Sequence, residues 1–393
     1  MAYQKTGNHS GSAPTKRLKL LLLAFSMLGL APIPVSAIVV ENLFEVDMPV
    51  LDENRAIRDA ALDDGLVEVL IRISGDSEIL KKIKAPSASS YVQQFEYSTQ
   101  TDAQNQAAVS KRLWARYNAT KVLDFLRQQA VPIWGEHRSQ VVIWLAVRDG
   151  GQRYILRAND TSPIKAQAEE AFKRRGIPVI WPENDAADQD IVRFADVWAG
   201  FAEPVKKASQ RYSSGPAISV SISWDGQLWT GQWSLIAGDE IKRWRLSGAD
   251  YVSLIARAMD LSADVLGQKY ATLQAVDGSQ YQQITVEISQ VSNVESFRRA
   301  EKYLSSLSAV QAVQLAQVEA DRVTFDLSIR TKVDDLLKLI QSGSTMEIVE
   351  EKSNAEQVIN ALQEKVATET ATVTDNAIPP TVTANRSYRF ILR

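Results

Sequence analysis

Apolar residues recur along this chain with two periods, and each change of period marks a new element. Ile57, Ala61, Leu62, Leu66, Val69, Leu70 and Ile73 fall at helical spacing, with Arg58, Asp63, Asp64 and Glu68 largely opposite. That predicts a helix over 53–73, capped by Asp52 and ended by Gly75. A β-branched stretch over 39–50 precedes it as a strand. An extended piece over 91–99 follows, then a helix over 105–130 with Val109, Leu113, Tyr117, Leu123 and Leu126 inward, and a buried strand over 141–147.

Asp149-Gly150-Gly151 is hairpin punctuation, because no phosphate-loop pattern surrounds it. A second unit then reads as a strand over 153–158 and a helix opened by Ser162-Pro163, with Glu169/Lys173 and Glu170/Arg174 at ion-pair spacing before Gly176. A short strand over 177–181 and a helix over 188–212, interrupted near Gly200 and Pro204, come next. Ile218, Val220, Ile222 and Trp224 alternate with serines as a half-buried strand. Turns at Asp225-Gly226 and Gly238-Asp239 make a three-stranded meander, followed by a helix over 250–270.

A third unit opens with a strand carrying Ile284, Val286 and Ile288. A capping box, Ser292 with Glu295, starts a helix whose stripe is Phe297, Ala300, Leu304 and Leu307. Strands over 310–318 and 323–329, a helix over 331–341 and a strand over 346–349 complete a β-α-β-β-α-β order, the ferredoxin-like signature. The fold class expected is therefore α/β to α+β: two small α/β units followed by a ferredoxin-like unit. The divisions fall at 1–37, 38–149, 150–276, 277–350 and a polar, Thr-rich tail over 351–393. The tail is expected to be mostly mobile, with one helix around 355–366. Its closing Tyr388 to Leu392 is suited to docking as a strand on a sheet edge or to binding a partner.

The N-terminus changes the picture. Lys16, Arg17 and Lys19 precede an apolar run from Leu20 to Leu30, and Val35-Ser36-Ala37 supplies the small residues that a signal peptidase reads. Cleavage after Ala37 is the expectation, with export to the periplasm, since the run is short for a span. No cysteine is present to be lipidated. Losing Lys5, Lys16, Arg17 and Lys19 from 44 basic residues leaves 40 against 47 acids, a net charge of −7. An acidic surface without a basic run disfavours nucleic acid, which needs clustered Lys and Arg.

The same composition limits chemistry. With 0 Cys and 2 His, of which only His137 survives cleavage, thiolate catalysis, iron–sulfur clusters and His-based metal sites are excluded. No cofactor motif appears. His137 is expected to be solvent-exposed in a loop, with no serine motif to serve. Glu183, Asp185, Asp188 and Asp190 are read as a helix cap rather than a calcium loop, because the spacing is wrong and no glycine lies among them. Asp63 and Asp64 do not converge as a glycosidase pair would. The candidate ligand or partner surface is Trp229 with Trp233, which share one face of the meander with Gly231 and Leu235. Such rings can stack on sugars, although core packing is the favoured reading for the face.

The chain resembles the secreted bacterial family known as domain of unknown function 2066. The resemblance rests on Leu43-Phe44-Glu45-Val46, the stretch Gly65-Leu66-Val67-Glu68-Val69-Leu70-Ile71-Arg72-Ile73-Ser74-Gly75, Tyr91-Val92-Gln93-Gln94-Phe95, Asp196-Val197-Trp198-Ala199-Gly200-Phe201 and the Trp229/Trp233 hairpin. It covers roughly 40–350, and implies an exported envelope protein without established activity and without a catalytic residue to carry over. The function expected is thus a non-catalytic interaction or assembly module that contacts another envelope protein. The alternatives are a peptidoglycan or saccharide binder using the tryptophan meander and, behind it, a carboxylate-dependent envelope hydrolase.

Overall fold

The computed structural model describes residues 37–101, 109–213, 215–276, 281–342, 345–352 and 387–392. The expected leader, apart from Ala37, and the expected tail helix lie outside the described residues. After β1 (Ala37–Val39) come β2 (Glu45–Val50) and α1 (Arg55–Ser74). Asn54, rather than Asp52, caps α1: its side chain accepts from Ile57 N at 2.9 Å, while Asp52 accepts from Asn54 N one step earlier. Gly75 ends the helix in the left-handed conformation at φ 70°. Leu62, Leu66, Val69, Leu70 and Ile73 are buried as the spacing predicts.

They pack on a sheet of order β2-β4-β3, built from β3 (Val92–Thr101) and β4 (Val109–Tyr117), and on α2 (Ala119–Gln128). The helix expected over 105–130 therefore does not form as one element. Leu113, Ala115 and Tyr117 are buried at period two, and spacings of four such as Leu113/Tyr117 satisfy strand and helix alike. Asn118 caps what remains by accepting from Lys121 N at 3.0 Å.

Between the first and second cores, β5 (His137–Ser139) pairs antiparallel with β1, setting Arg138 opposite Ile38. Then follow β6 (Val141–Asp149), β7 (Gln152–Ile155), α3 (Pro163–Arg174), β8 (Val179–Ile180), α4 (Ala186–Gln189), α5 (Phe194–Ala199), α6 (Ala202–Ser209), β9 (Ala217–Trp224), β10 (Trp229–Ala237), β11 (Glu240–Gly248) and α7 (Tyr251–Tyr270). The sheet runs β11-β10-β9-β6-β7, with β8 also on β6, and mixes parallel and antiparallel pairs. Residues of α3 and α7 join the core on one face, and residues of α5 and α6 on the other.

That double cover corrects the half-buried reading of β9. Ser219 and Ser221 are buried too, and Ser219 Oγ satisfies itself by donating to the Val197 carbonyl at 2.9 Å. The pairing expected between Glu170 and Arg174 gives way to a tertiary one, Arg174 to Asp260 at 3.0 Å.

The third unit has β12 (Gln282–Ser289), α8 (Val294–Ser306), β13 (Val310–Val318), β14 (Arg322–Ile329), α9 (Val333–Ser342), β15 (Met346–Lys352) and β16 (Ser387–Leu392). Its capping box is Asn293 with Ser296, one residue beyond the expected pair. The sheet order is β13-β14-β12-β16-β15. The expected succession of elements is present, but the sheet differs from a four-stranded ferredoxin-like one, since the C-terminal strand stands between β12 and β15. Strand β16 thus takes an interior place instead of an edge, parallel to β12 and antiparallel to β15. Tyr388, Phe390 and Leu392 point into the core, which explains the position: three large apolar side chains at alternating places bury best between neighbours. The architecture is mixed α/β with antiparallel and mixed sheets, and nine α-helices among the described residues.

Candidate binding cleft

Three segments far apart in sequence converge beside α2. Arg127 lies in the last turn of α2, Ser305 to Ser308 form the exit from α8, and Arg330 follows β14. Together with Thr120, Leu123, Asp124, Val310 and Gln311 they line an open cleft of about 410 Å³. Hydrogen bonding fixes its floor. Arg127 Nε donates to Gln274 Oε1 at 3.1 Å, Gln274 Nε2 donates to Ser308 Oγ at 3.1 Å, and Arg127 Nη1 reaches Asp124 at 2.8 Å.

Arg330 is held differently. Its backbone N donates to the Ala309 carbonyl at 2.8 Å, its carbonyl accepts from Ala275 N, and its guanidinium lies 5.6 Å from the Tyr281 ring centre. No carboxylate pairs with it among the described residues, and its buried Nε has no acceptor. Burial, and then the charge of Arg330, push the Arg127 guanidinium below its ordinary range, while Asp124 pulls the other way. Two guanidinium groups with one carboxylate between them leave the cleft electropositive within an acidic molecule. Hydroxyls on one wall and a fork-shaped donor on the other suit a carboxylate or similar anion.

His137 stands behind this wall. It is half-buried in β5, not exposed in a loop as expected: its Nε2 lies 2.5 Å from Ser306 Oγ and its ring meets Tyr303 edge-on. Burial lowers its pKa. Ser306 Oγ donates its proton to the Tyr303 carbonyl at 2.6 Å, so Nε2 serves the hydroxyl as a donor. That is a structural clasp, in which the hydroxyl is not turned toward a base for attack. The pair is 169 residues apart in sequence, so no local motif could have signalled it.

The tryptophan face is equally specific. Trp233 is fully buried, and a Cβ on Gly231 would meet the benzo edge of its ring at 2.2 Å, so the ring occupies the space that a side chain there would need. Trp229 is half-buried, 5.5 Å from both Trp224 and Tyr251 by ring centres. Only Trp229 of the two has an accessible surface. In the acidic cluster, Asp185 caps α4 as expected, accepting from Asp188 N at 3.1 Å, and Arg211 holds it at 2.6 Å and 2.8 Å. The Arg211 hydrogen bond keeps Asp185 down at about 2. Asp188 is buried, taking the Tyr212 hydroxyl and Arg211. Among the described residues no group of His, Asp and Glu is arranged to hold a metal. Asp63 accepts from Ala88 N at 2.7 Å, a structural task.

Comparisons with known proteins add one local likeness. A family model described as a domain of unknown function, DUF8605, matches residues 37–135. This corrects the expected resemblance to domain of unknown function 2066. The matched stretch holds β1 to α2 and the residues of the first core. No curated protein matches. A solved chain described as the crystal structure of an uncharacterized protein aligns at 13% identity over 33% of this chain and 90% of its own, with a TM-score of 0.14. Among the described residues no helix is long and apolar enough to cross a membrane.

Proposed function

We propose that this protein is a non-catalytic interaction module of the cell envelope, exported to the periplasm with cleavage after Ala37, and that it engages an acidic segment of an envelope protein at the Arg127–Arg330 cleft. The observation that carries the reading is Arg330, a guanidinium lining an open cleft without a carboxylate of its own among the described residues. A ligand carboxylate in the cleft would give this guanidinium the counter-ion that it lacks among the described residues. The hydroxyls of Ser305 and Ser308 supply further donors.

A photo-crosslinking side chain at Ser305, introduced into the exported protein in cells, tests this. The expected result is one dominant adduct that disappears with Arg330→Glu, and roughly tenfold weaker binding with Arg330→Ala, about the worth of one charge-assisted hydrogen bond. An adduct untouched by Arg330→Glu would refute the cleft as the contact. Sequencing the N-terminus of the exported form should give Ile38 first; retention of Met1 would refute processing.

A second reading, a saccharide platform, keeps a foothold in Trp229, whose ring sits at a 38° tilt to Trp224 beside Leu228, 44% exposed. Peptidoglycan pull-down unchanged by Trp229→Ala would remove it.

A further inference from the structure

The third sheet ends on an edge strand of unusual composition. Strand β13 reads Val310-Gln311-Ala312-Val313-Gln314-Leu315-Ala316-Gln317-Val318. Among the described residues it pairs on one side only, with β14, and it carries no charge and no proline, two of the usual blocks to edge-to-edge pairing. Two bulges break its alternation. Through them Val310, Val313, Leu315 and Val318 all stand opposite fully buried residues of β14, namely Ile329, Leu327, Phe325 and Val323. All four therefore face the helix-covered side, yet the cover ends short of the edge: Leu315 is 51% exposed and Val318 64%.

The sequence of this edge is nearly the same in both directions. Reflection through Gln314 exchanges Val310 with Val318, Gln311 with Gln317, Ala312 with Ala316 and Val313 with Leu315. An unrelated peptide requires no such symmetry of its receptor. A second copy of the same strand, antiparallel and related by a two-fold axis, does, because an isologous interface must be complementary to itself. In that register each apolar residue meets an apolar one, and each glutamine meets a glutamine, whose amide both donates and accepts. No charge is introduced from either side.

We propose that two copies of this chain associate through β13, antiparallel and centred on Gln314, into one continuous sheet that buries Leu315 and Val318. The inference rests on the edge strand and goes beyond the cleft reading. Val310 and Gln311 belong to both, but Gln314, Leu315 and Val318 do not line the cleft, and Arg330 is not part of the strand.

The chain has 0 Cys, which makes the register directly testable in the full protein. Residues facing each other across an antiparallel pair have Cα atoms about 4.5 to 5.5 Å apart, within disulfide range. A single Gln314→Cys should give a covalent dimer on mild oxidation. Gln311→Cys should not, being about 20 Å from its own copy at the strand rise of roughly 3.4 Å per residue. The double variant Gln311→Cys/Gln317→Cys should crosslink again. In sedimentation the unmodified protein should be dimeric. Leu315→Lys/Val318→Lys should be monomeric with an unchanged circular dichroism spectrum, and Arg330→Glu should stay dimeric. A monomer at every concentration would overturn the proposal, as would a dimer that Gln314→Cys does not crosslink.

Discussion

Arg138 shows how much a single side chain can decide. It is fully buried with no carboxylate paired to it among the described residues, and it spends its donors on backbone carbonyls: Gly135, Arg175, Gly176, Arg72 and Trp134, at 2.7–3.1 Å. Its guanidinium also lies 4.1 Å from the Trp134 ring centre. Burial, and then the charges of Arg72 and Arg175, push its pKa well down, so the carbonyl cage is what keeps the cation tolerable. Arg138→Met should orphan those carbonyls and cost on the order of 3 kcal/mol or more in urea unfolding, and Arg138→Lys should not restore it, because an ammonium lacks the planar fork. His137 gives a pH signature. Its folded pKa is lowered by burial, so the folded state binds fewer protons than the unfolded one below about pH 6.5. Its contribution is therefore present above that pH and is lost as the pH falls. Glu136, raised by burial, has the opposite sign: its contribution is present at low pH and lost as the pH rises through its folded value. Thermal midpoints should drop as the pH falls below about 6.5, and His137→Gln should flatten that drop.

At the level of elements, legibility followed the strength of the local signal. The α1 stripe with its Gly75 stop, the buried β6 strand, the β9–β11 meander with its two glycine turns and α7 behind Asp250 were all readable, because periodicity and turn chemistry agreed in each. Cap positions slipped by one or two residues where several polar residues competed, as Asp52 with Asn54 and Ser292 with Asn293. Strand β4 departs from the helix its spacing suggests because that spacing satisfies two periods, and only tertiary pairing with β2 and β3 chooses between them. The interior place of β16 was invisible for a related reason: alternation shows which face is buried but not how many neighbours a strand has. That place has consequences. Phe390→Ala empties a fully buried position between two strands and should cost about 3 to 5 kcal/mol in denaturant unfolding, more than Ile391→Ala on the opposite face of the same strand.

Across the whole molecule, the candidate cleft was not legible at all, since Arg127, Ser308 and Arg330 come from separate elements and each is ordinary in its local sequence. Elsewhere in the molecule, polar ties run between the first core and the α3–α7 side of the second. Arg72 of α1 donates to the Arg174 carbonyl at 2.6 Å, Ser77 N donates to Asp264 of α7 at 2.9 Å, and buried Arg175 reaches Asp260 at 3.0 Å and Asp264 at 2.7 Å. Gly75 and Gly267 let the end of α1 touch α7 directly, a Cβ on Gly267 falling 2.4 Å from the Gly75 carbonyl oxygen. Arg72 and Ser77 tie the first core to the second, Arg175 joins α3 to α7 within the second, and Asp264 takes part in both sets. Asp264→Ala removes one of the two carboxylates on Arg175 and the acceptor of Ser77, and should cost about 3 kcal/mol, the usual penalty for stripping a buried cation of a partner. If the ties couple the cores, calorimetry should change from one transition in the unmodified protein to an early melting of residues 37–135 followed by the rest. A single transition, merely shifted, would place the coupling in the Gly75–Gly267 contact instead, and Gly267→Ala would then be the variant that separates the two cores.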